Sequence, residues 1–396
     1  MRIGVNCFML QPQMGGIAHY FLYLFRELLD TDHGHQYTFF WFPHNEEMLA
    51  RLGTERWREG AVLLDDQLAV LGHLDRIDLY FCPLSVLFPR PAPRPSVVTL
   101  PDIQERYYPE FFAPTDLYTR DLHFAASTRM ADRVVTHSYF SRDSLVLHHG
   151  LSAEKVVVAP HTVDRRFFQA ERIARRPERP LPEAFLYFPA NLWKHKNHET
   201  LLQALRWLAL ERGLRVPLVL TGFLDESADA YPFRQRAADL GIGELVQHLG
   251  FVDPEEVAYL YVHARMLVFP SLFEGFGMPL VEAMAAGCPV VAAASSSIPE
   301  VVGDAGLTFD TQDPRSLAEA IARVWSDDRL RADLSARGRL RAQAFGPRQA
   351  VDAHLRAFEE ARRCYSPLRY LWHRQVYQHY HRWRVERRWR GRLPRN

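Results

Sequence analysis

Two glutamates eight residues apart, Glu274 and Glu282, bracket the segment EGFGMPLVE, the clearest candidate for chemistry in the chain. An ionised carboxylate only accepts hydrogen bonds, so two of them in one cleft suit a hydroxyl-rich ligand such as a sugar. Gly275 and Gly277 let the backbone approach a ligand closely. Pro279 can start a helix, and Leu280 and Met284 with neighbouring alanines give that helix an apolar face. Its N-terminus would carry unsatisfied N–H groups and about half a positive charge, which suits a phosphate. The pattern alone also fits a plain helix start with a chance pair of glutamates.

These residues need elements to position them. An apolar strand at 266–269 runs directly into the segment, and ligands of open parallel sheets bind outside the carboxyl ends of the strands. Upstream, residues 3–8, 37–42, 79–82, 97–100, 134–136 and 156–158 read as strands, and 17–29 as a helix after Gly15-Gly16. Residues 185–188, 217–220 and 289–293 read as further strands, and Asp253-Pro254-Glu255-Glu256 as a capped helix start. Strands alternating with helices indicate parallel sheets in an α/β fold. At 396 residues the chain is too long for one core. The polar, basic, proline-bearing stretch AERIARRPERPLPE interrupts the rhythm and marks a linker. The expected division is a first Rossmann-like domain over 1–172, a linker at 173–183, a second Rossmann-like domain over 184–345, a helix at 346–365 and a tail at 366–396.

Charge is nearly balanced at +1, so the chain as a whole carries no nucleic-acid footprint. Cys7, Cys82, Cys288 and Cys364 are scattered and read as free thiols of a reducing compartment. The opening MRIGVNCFML reads as a strand rather than a signal peptide, and no apolar run reaches the roughly 20 residues of a spanning helix. The expected location is the cytoplasm, with any membrane contact peripheral. His195 and His198 lie three apart, but Lys194 and Lys196 would repel a cation there, so no metal site is expected. The tail sets nine arginines against one acid, Glu386, and interleaves them with Trp372, Trp383, Trp389, Tyr370, Tyr377 and Tyr380. Such a segment suits an anionic membrane surface. Packing of its aromatic residues on the first domain is a competing reading, and a partner or nucleic-acid contact is a third.

EGFGMPLVEAMAAGCPVVAA closely resembles the E-x7-E region of the retaining glycosyltransferases of family 4. MGGIAHYFLYLFREL resembles their glycine-rich loop and first helix. ADRVVTHSYFSRDSL, EKVVVAPHTVDRRFF, FLYFPANLWKHKNHETLLQAL and HLGFVDPEEVAYLYVHARMLVFPSLFEGFG follow in the order of that family, over roughly residues 1–360. The resemblance implies a GT-B architecture, two Rossmann-like domains facing a central cleft. It implies that Glu274 binds hydroxyls of the transferred sugar, that Glu282 holds the ribose, and that Lys196 neutralises the diphosphate. Backbone around Gly275, Phe276, Gly277, Met278, Pro279 and Leu280 would face sugar and diphosphate, with Gly15 and Gly16 passing near the phosphates. It implies no cofactor and no metal, with retention by same-face attack.

Two positions depart from the family. Asn191 stands where many members carry an arginine, and Lys194 or His195 could supply some of the missing charge. Pro101-Asp102 stands where many carry His-Asp, which makes Asp102 the leading polar candidate on the acceptor side, with Gln104 and Arg106 close behind. The expected function is hexosyl transfer from GDP-mannose or a UDP-hexose to a glycan or lipid-linked glycan acceptor in surface polysaccharide biosynthesis. The alternatives are a non-catalytic GT-B partner subunit, and a nucleotide-sugar epimerase or sugar phosphorylase.

Overall fold

Successive residues of the N-terminal strands enter different cores. Phe39, Phe81, Val97 and Val135 join one apolar cluster, while Phe40, Tyr80, Val98 and Val134 join another. Side chains alternate across a strand, so a sheet that is apolar on both sides must be covered on both. The computed structural model, which describes residues 1–223 and 231–393, shows that sheet. It contains β1 (Arg2–Asn6), β2 (Gln36–Trp41), β3 (Val62–Leu63), β4 (Leu79–Cys82), β5 (Ser96–Thr99), β6 (Arg133–Thr136) and β7 (Val156–Val158). All pairs are parallel, in the order β3-β2-β1-β4-β5-β6-β7. Helices Gly16–Asp30 and Pro347–Cys364 fill the first cluster; helix Pro114–Met130 contributes Ala126 and Met130 to the second.

The second sheet is also fully parallel. It contains β8 (Leu186–Pro189), β9 (Leu218–Thr221), β10 (Val246–His248), β11 (Met266–Phe269), β12 (Val290–Ala293) and β13 (Gly306–Phe309), in the order β10-β9-β8-β11-β12-β13. Each sheet reverses its strand order once, between β1 and β4 and between β8 and β11. At such a switch point adjacent crossovers leave in opposite directions and open a crevice at the carboxyl edge.

The chain forms two units, Met1–Thr162 with Pro347–Asn396, and Val163–Gly346. The boundary expected at residue 172 therefore moves to Thr162. Val163, Phe167 and Ala170 already belong to the core of the second unit, and their apolar side chains outweigh the polar composition that follows them. The stretch expected as a linker, 173–183, is fastened to that unit. Arg175 pairs with Asp253 at 2.6 Å and Glu256 at 3.0 Å, and Gln247 Nε2 donates to Pro180 O at 2.8 Å.

The tail packs on the first unit. Tyr377 joins its second core cluster, Trp389 Nε1 donates to Asp121 Oδ2 at 2.7 Å, and Arg369 pairs with Asp132. Residues 394–396 of the tail lie outside the described residues. All four cysteines are free thiols.

Candidate active site

Strands β8 and β11 are direct neighbours, with Leu186 beside Met266 and Tyr187 beside Leu267. The loops leaving their carboxyl ends carry Lys196 and Glu274, so the switch point delivers both side chains to one place. Lys196 Nζ donates to Glu274 Oε1 at 2.7 Å, and the two side chains are only 14% and 12% exposed. Lys196 Nζ also lies 5.6 Å from the centre of the Phe269 ring. Two bonds staple the loops together: Leu272 N to His195 O at 2.8 Å, and Asn197 Nδ2 to Pro270 O at 3.1 Å.

A third loop clamps Glu274 from the far side. Glu274 N donates to Ser296 Oγ at 2.9 Å, and Ser297 Oγ donates to Glu274 O at 2.8 Å. Ser295 Oγ donates to Ser271 O at 2.8 Å. These serines follow β12, and the sequence reading passed over them. Their signal was a Ser-Ser-Ser run directly after an apolar strand.

Gly277 caps helix Met278–Ala286 at φ +94°, in the left-handed region. A Cβ there would lie 2.8 Å from Leu280 Cδ1. The helix start therefore needs glycine both for conformation and for space. Leu280 and Phe276 are buried, and the Phe276 ring packs edge-on to Phe345 at 5.5 Å. Their side chains belong to the core, which leaves only their backbone to a ligand. Met278 and Pro279 are half-buried at the helix mouth.

Glu282 lies one turn into this helix, and its Oε2 accepts from Tyr261 Oη at 3.0 Å. Desolvation pushes its carboxyl from 4.5 up to about 7; the Tyr261 bond works against this, and the negative charge of Asp164 adds to it. Tyr261, another residue the sequence reading missed, is fully buried.

One sequence expectation, charge supplied by His195, changes here. Asn191 Oδ1 accepts from Phe223 N at 3.0 Å, so that side chain holds the loop after β9. His195 does not supply the charge an arginine would give: burial, reinforced by the Lys196 ammonium, lowers it to about 2 and keeps it neutral. The charge of this loop rests on Lys196 and the exposed Lys194.

In the first unit, Gly15 precedes helix Gly16–Asp30 at φ +57°, and a Cβ at Gly15 or Gly16 would meet no atom within 4 Å. Asp102 follows β5, two strands from β1 on the same carboxyl edge. Its Oδ1 accepts from Gln104 N at 3.1 Å. Arg106 is committed to Asp121. Glu105, not singled out from sequence, is buried beside Arg120 at 3.2 Å with its Oε1 unpartnered. Burial raises its carboxyl above the usual range, against the pull of Arg120, and Asp102 adds to the rise. The chain also contains an Asp-x-Asp triplet, Asp30-Thr31-Asp32, where Gly16–Asp30 ends. Both acids are exposed, and Asp32 Oδ1 accepts from Gly34 N at 2.8 Å, a turn-forming role. Among the described residues no three His, Cys, Asp or Glu side chains converge as a metal set.

Residues 169–341 match the model of the family described as Glycosyl transferases group 1. O-antigen chain mannosyltransferase B of Escherichia coli is 30% identical over 274 residues, 67% of this chain and 70% of that protein. The chain belongs to the group 1 glycosyltransferases. D-inositol 3-phosphate glycosyltransferase of Paenarthrobacter aurescens is 27% identical over 239 residues, 58% of each protein. An Anabaena protein crystallised with UDP and glucose superposes with a TM-score of 0.69 at 20% identity, over 91% of this chain and 99% of that one. That likeness shows the fold, the GT-B class of two Rossmann-like units. This group 1 glycosyltransferase is a hexosyltransferase, and its matched segment lies within the unit that carries Lys196, Glu274 and Glu282.

Proposed function

We propose that this group 1 glycosyltransferase is a retaining enzyme of family 4, in the subset with Pro-Asp in place of His-Asp. It moves a hexose from a nucleotide-diphosphate sugar, GDP-mannose or a UDP-hexose, to a glycan or lipid-linked glycan acceptor in surface polysaccharide biosynthesis. The observation that carries this reading is the Lys196–Glu274 pair at the β8/β11 switch point. An ammonium has three donors and a carboxylate about four acceptor sites. The single bond between them leaves two N–H groups for a diphosphate and Oε2 for a sugar hydroxyl. Mannosyl transfer is favoured by the E. coli relative; the Anabaena protein, crystallised with UDP and glucose, keeps a UDP-hexose in view.

In the proposed step the bond between the sugar's anomeric carbon and the diphosphate oxygen breaks while the acceptor oxygen bonds to the same face of that carbon. The acceptor's proton passes to a phosphate oxygen of the leaving group. Lys196 stabilises the charge that develops there, Glu274 fixes the sugar, Glu282 holds the ribose, and backbone from Gly275 to Leu280 lines the approach. Asp102 orients the acceptor. No metal takes part. The relatives are transferases, and no observation favours a non-catalytic subunit, an epimerase or a phosphorylase.

The test is turnover with GDP-mannose, UDP-glucose and related donors, read as release of free nucleotide with and without chelator. Release from one donor, unchanged by chelator and lowered about 10- to 100-fold in Glu274→Ala, is the expected result. Full transfer by Glu274→Ala would overturn the assignment, and loss of activity on chelation would overturn metal independence.

A further inference from the structure

The C-terminal segment of the first unit is a helical rod with two dissimilar sides. It runs through Pro367–Trp372, a π turn at His373–Tyr377, and Gln378–Trp389. An α-helix at 3.6 residues per turn drifts by about 40° every four residues. The wider π turn takes up part of that drift, so residues four apart stay in line. One row, His373, Tyr377, His381 and Val385, is buried on the unit. The rod is pinned there by the Trp389–Asp121 and Arg369–Asp132 contacts, and Arg388 lies 3.2 Å from Asp121.

The adjoining rows face outward. Leu368, Trp372, Val376 and Tyr380 follow one another at four-residue steps, with Leu371 and Trp383 beside them. All six are between 47% and 78% exposed. Six large apolar side chains along one rod form a continuous face, which a folded protein leaves uncovered only where something else covers it. Past Trp383 the face turns basic. Among the described residues no carboxylate lies within ion-pair distance of Arg374, Arg384, Arg387, Arg390 or Arg392. Arg387 instead lies over the Trp383 ring, 5.4 Å from its centre.

We propose that this outward face docks on the surface of an anionic lipid bilayer. The apolar stripe enters the headgroup boundary, the tryptophans and Tyr380 sit at the interface, and the arginines engage lipid phosphates. A second copy is a poor occupant, because a symmetric contact would set the unpaired arginines against each other. Among the described residues no helix is long and apolar enough to cross a membrane, so the attachment is peripheral. The inference rests on the first unit alone and stands apart from the donor-site reading.

The test is co-sedimentation of the full chain with phosphatidylcholine vesicles, with and without phosphatidylglycerol. The expected result is binding to the anionic vesicles only, weakened by high salt. Trp372→Glu with Trp383→Glu removes two exposed side chains and should lower the partition coefficient at least about tenfold at an unchanged melting temperature. Arg384→Gln with Arg390→Gln tests the charge independently of the stripe, with a loss of about fivefold per residue expected. Equal sedimentation with both lipids, or wild-type binding by both variants, would overturn the proposal. So would self-association in the absence of lipid that the tryptophan variant abolishes, since that would assign the face to a second copy.

Discussion

Lys196 Nζ and Glu274 Oε1 meet at 2.7 Å across 78 residues of sequence. Neither side chain has much contact with solvent, so each charge depends on the other until a ligand arrives. The pair is both a structural contact of the second sheet and the centre of the proposed donor site.

Removing either member should therefore cost activity and stability together. A hydrogen bond to a charged group contributes about 1.5–3 kcal/mol, so Lys196→Ala is expected to lower kcat/KM by about 10- to 100-fold. Glu274→Ala should do the same. The double substitution should cost less than the sum, because each single change strands a largely buried charge. Steady-state kinetics of the four proteins checks this, and strict additivity would show that the two act separately.

Glu282 sets a pH dependence. Its carboxyl titrates near 7 in the fold, above its ordinary 4.5. Between those values the folded chain holds a proton that the unfolded chain has released, so this group's contribution to stability declines as pH rises from about 4.5 to 7. Ribose hydroxyls donate to the ionised form, so donor affinity should rise over the same window and level off above it. Thermal shift with donor from pH 5.5 to 8 measures this. An identical profile in Glu282→Gln would remove Glu282 as the source.

Gly277→Ala should destabilise the second unit. The new Cβ meets Leu280 Cδ1 at 2.8 Å, and φ of +94° is unfavourable for alanine. A loss of about 1–3 kcal/mol is expected. Thermal melting should show it, and an unchanged melting temperature would mean that the helix start relaxes freely.

In the first unit Tyr20 Oη lies 2.8 Å from Thr99 Oγ1 and 2.7 Å from His354 Nε2. His354 Nδ1 sits 2.7 Å from Ala350 O, so it carries the proton and Nε2 accepts from Tyr20. Tyr20→Phe leaves that buried nitrogen unsatisfied and should cost about 1–3 kcal/mol. Denaturant unfolding followed in the first unit checks the value.

The interior of both sheets was legible from sequence, while three of the edges were not. Residues 79–82 and 266–269 stood out because both faces of those strands are apolar. Val62–Leu63 is only two residues long, Val246–His248 alternates with Gln247, and Gly306–Phe309 carries Thr308 and a glycine. All three lie at edges, where one side needs no apolar partner. Glu274 to Glu282 could be singled out because they sit in one contiguous motif, whereas Lys196, 78 residues from Glu274, was placed by the resemblance. The Ser295–Ser297 clamp was not legible, because its role arises only when β11 and β12 become neighbours, and Tyr261 was not, because its role arises only when helix Pro254–His263 meets helix Met278–Ala286.

Helix Pro347–Cys364 gives the core of the first unit Val351, Ala353, Ala357, Phe358 and Ala361. A chain emerging from the ribosome must therefore expose its first 162 residues without a full covering for one face of their sheet until helix Pro347–Cys364 has been made. The second unit, Val163–Gly346, is contiguous and can finish first. A nascent chain that stalls before residue 347 therefore holds every residue of the second unit but lacks part of the core of the first.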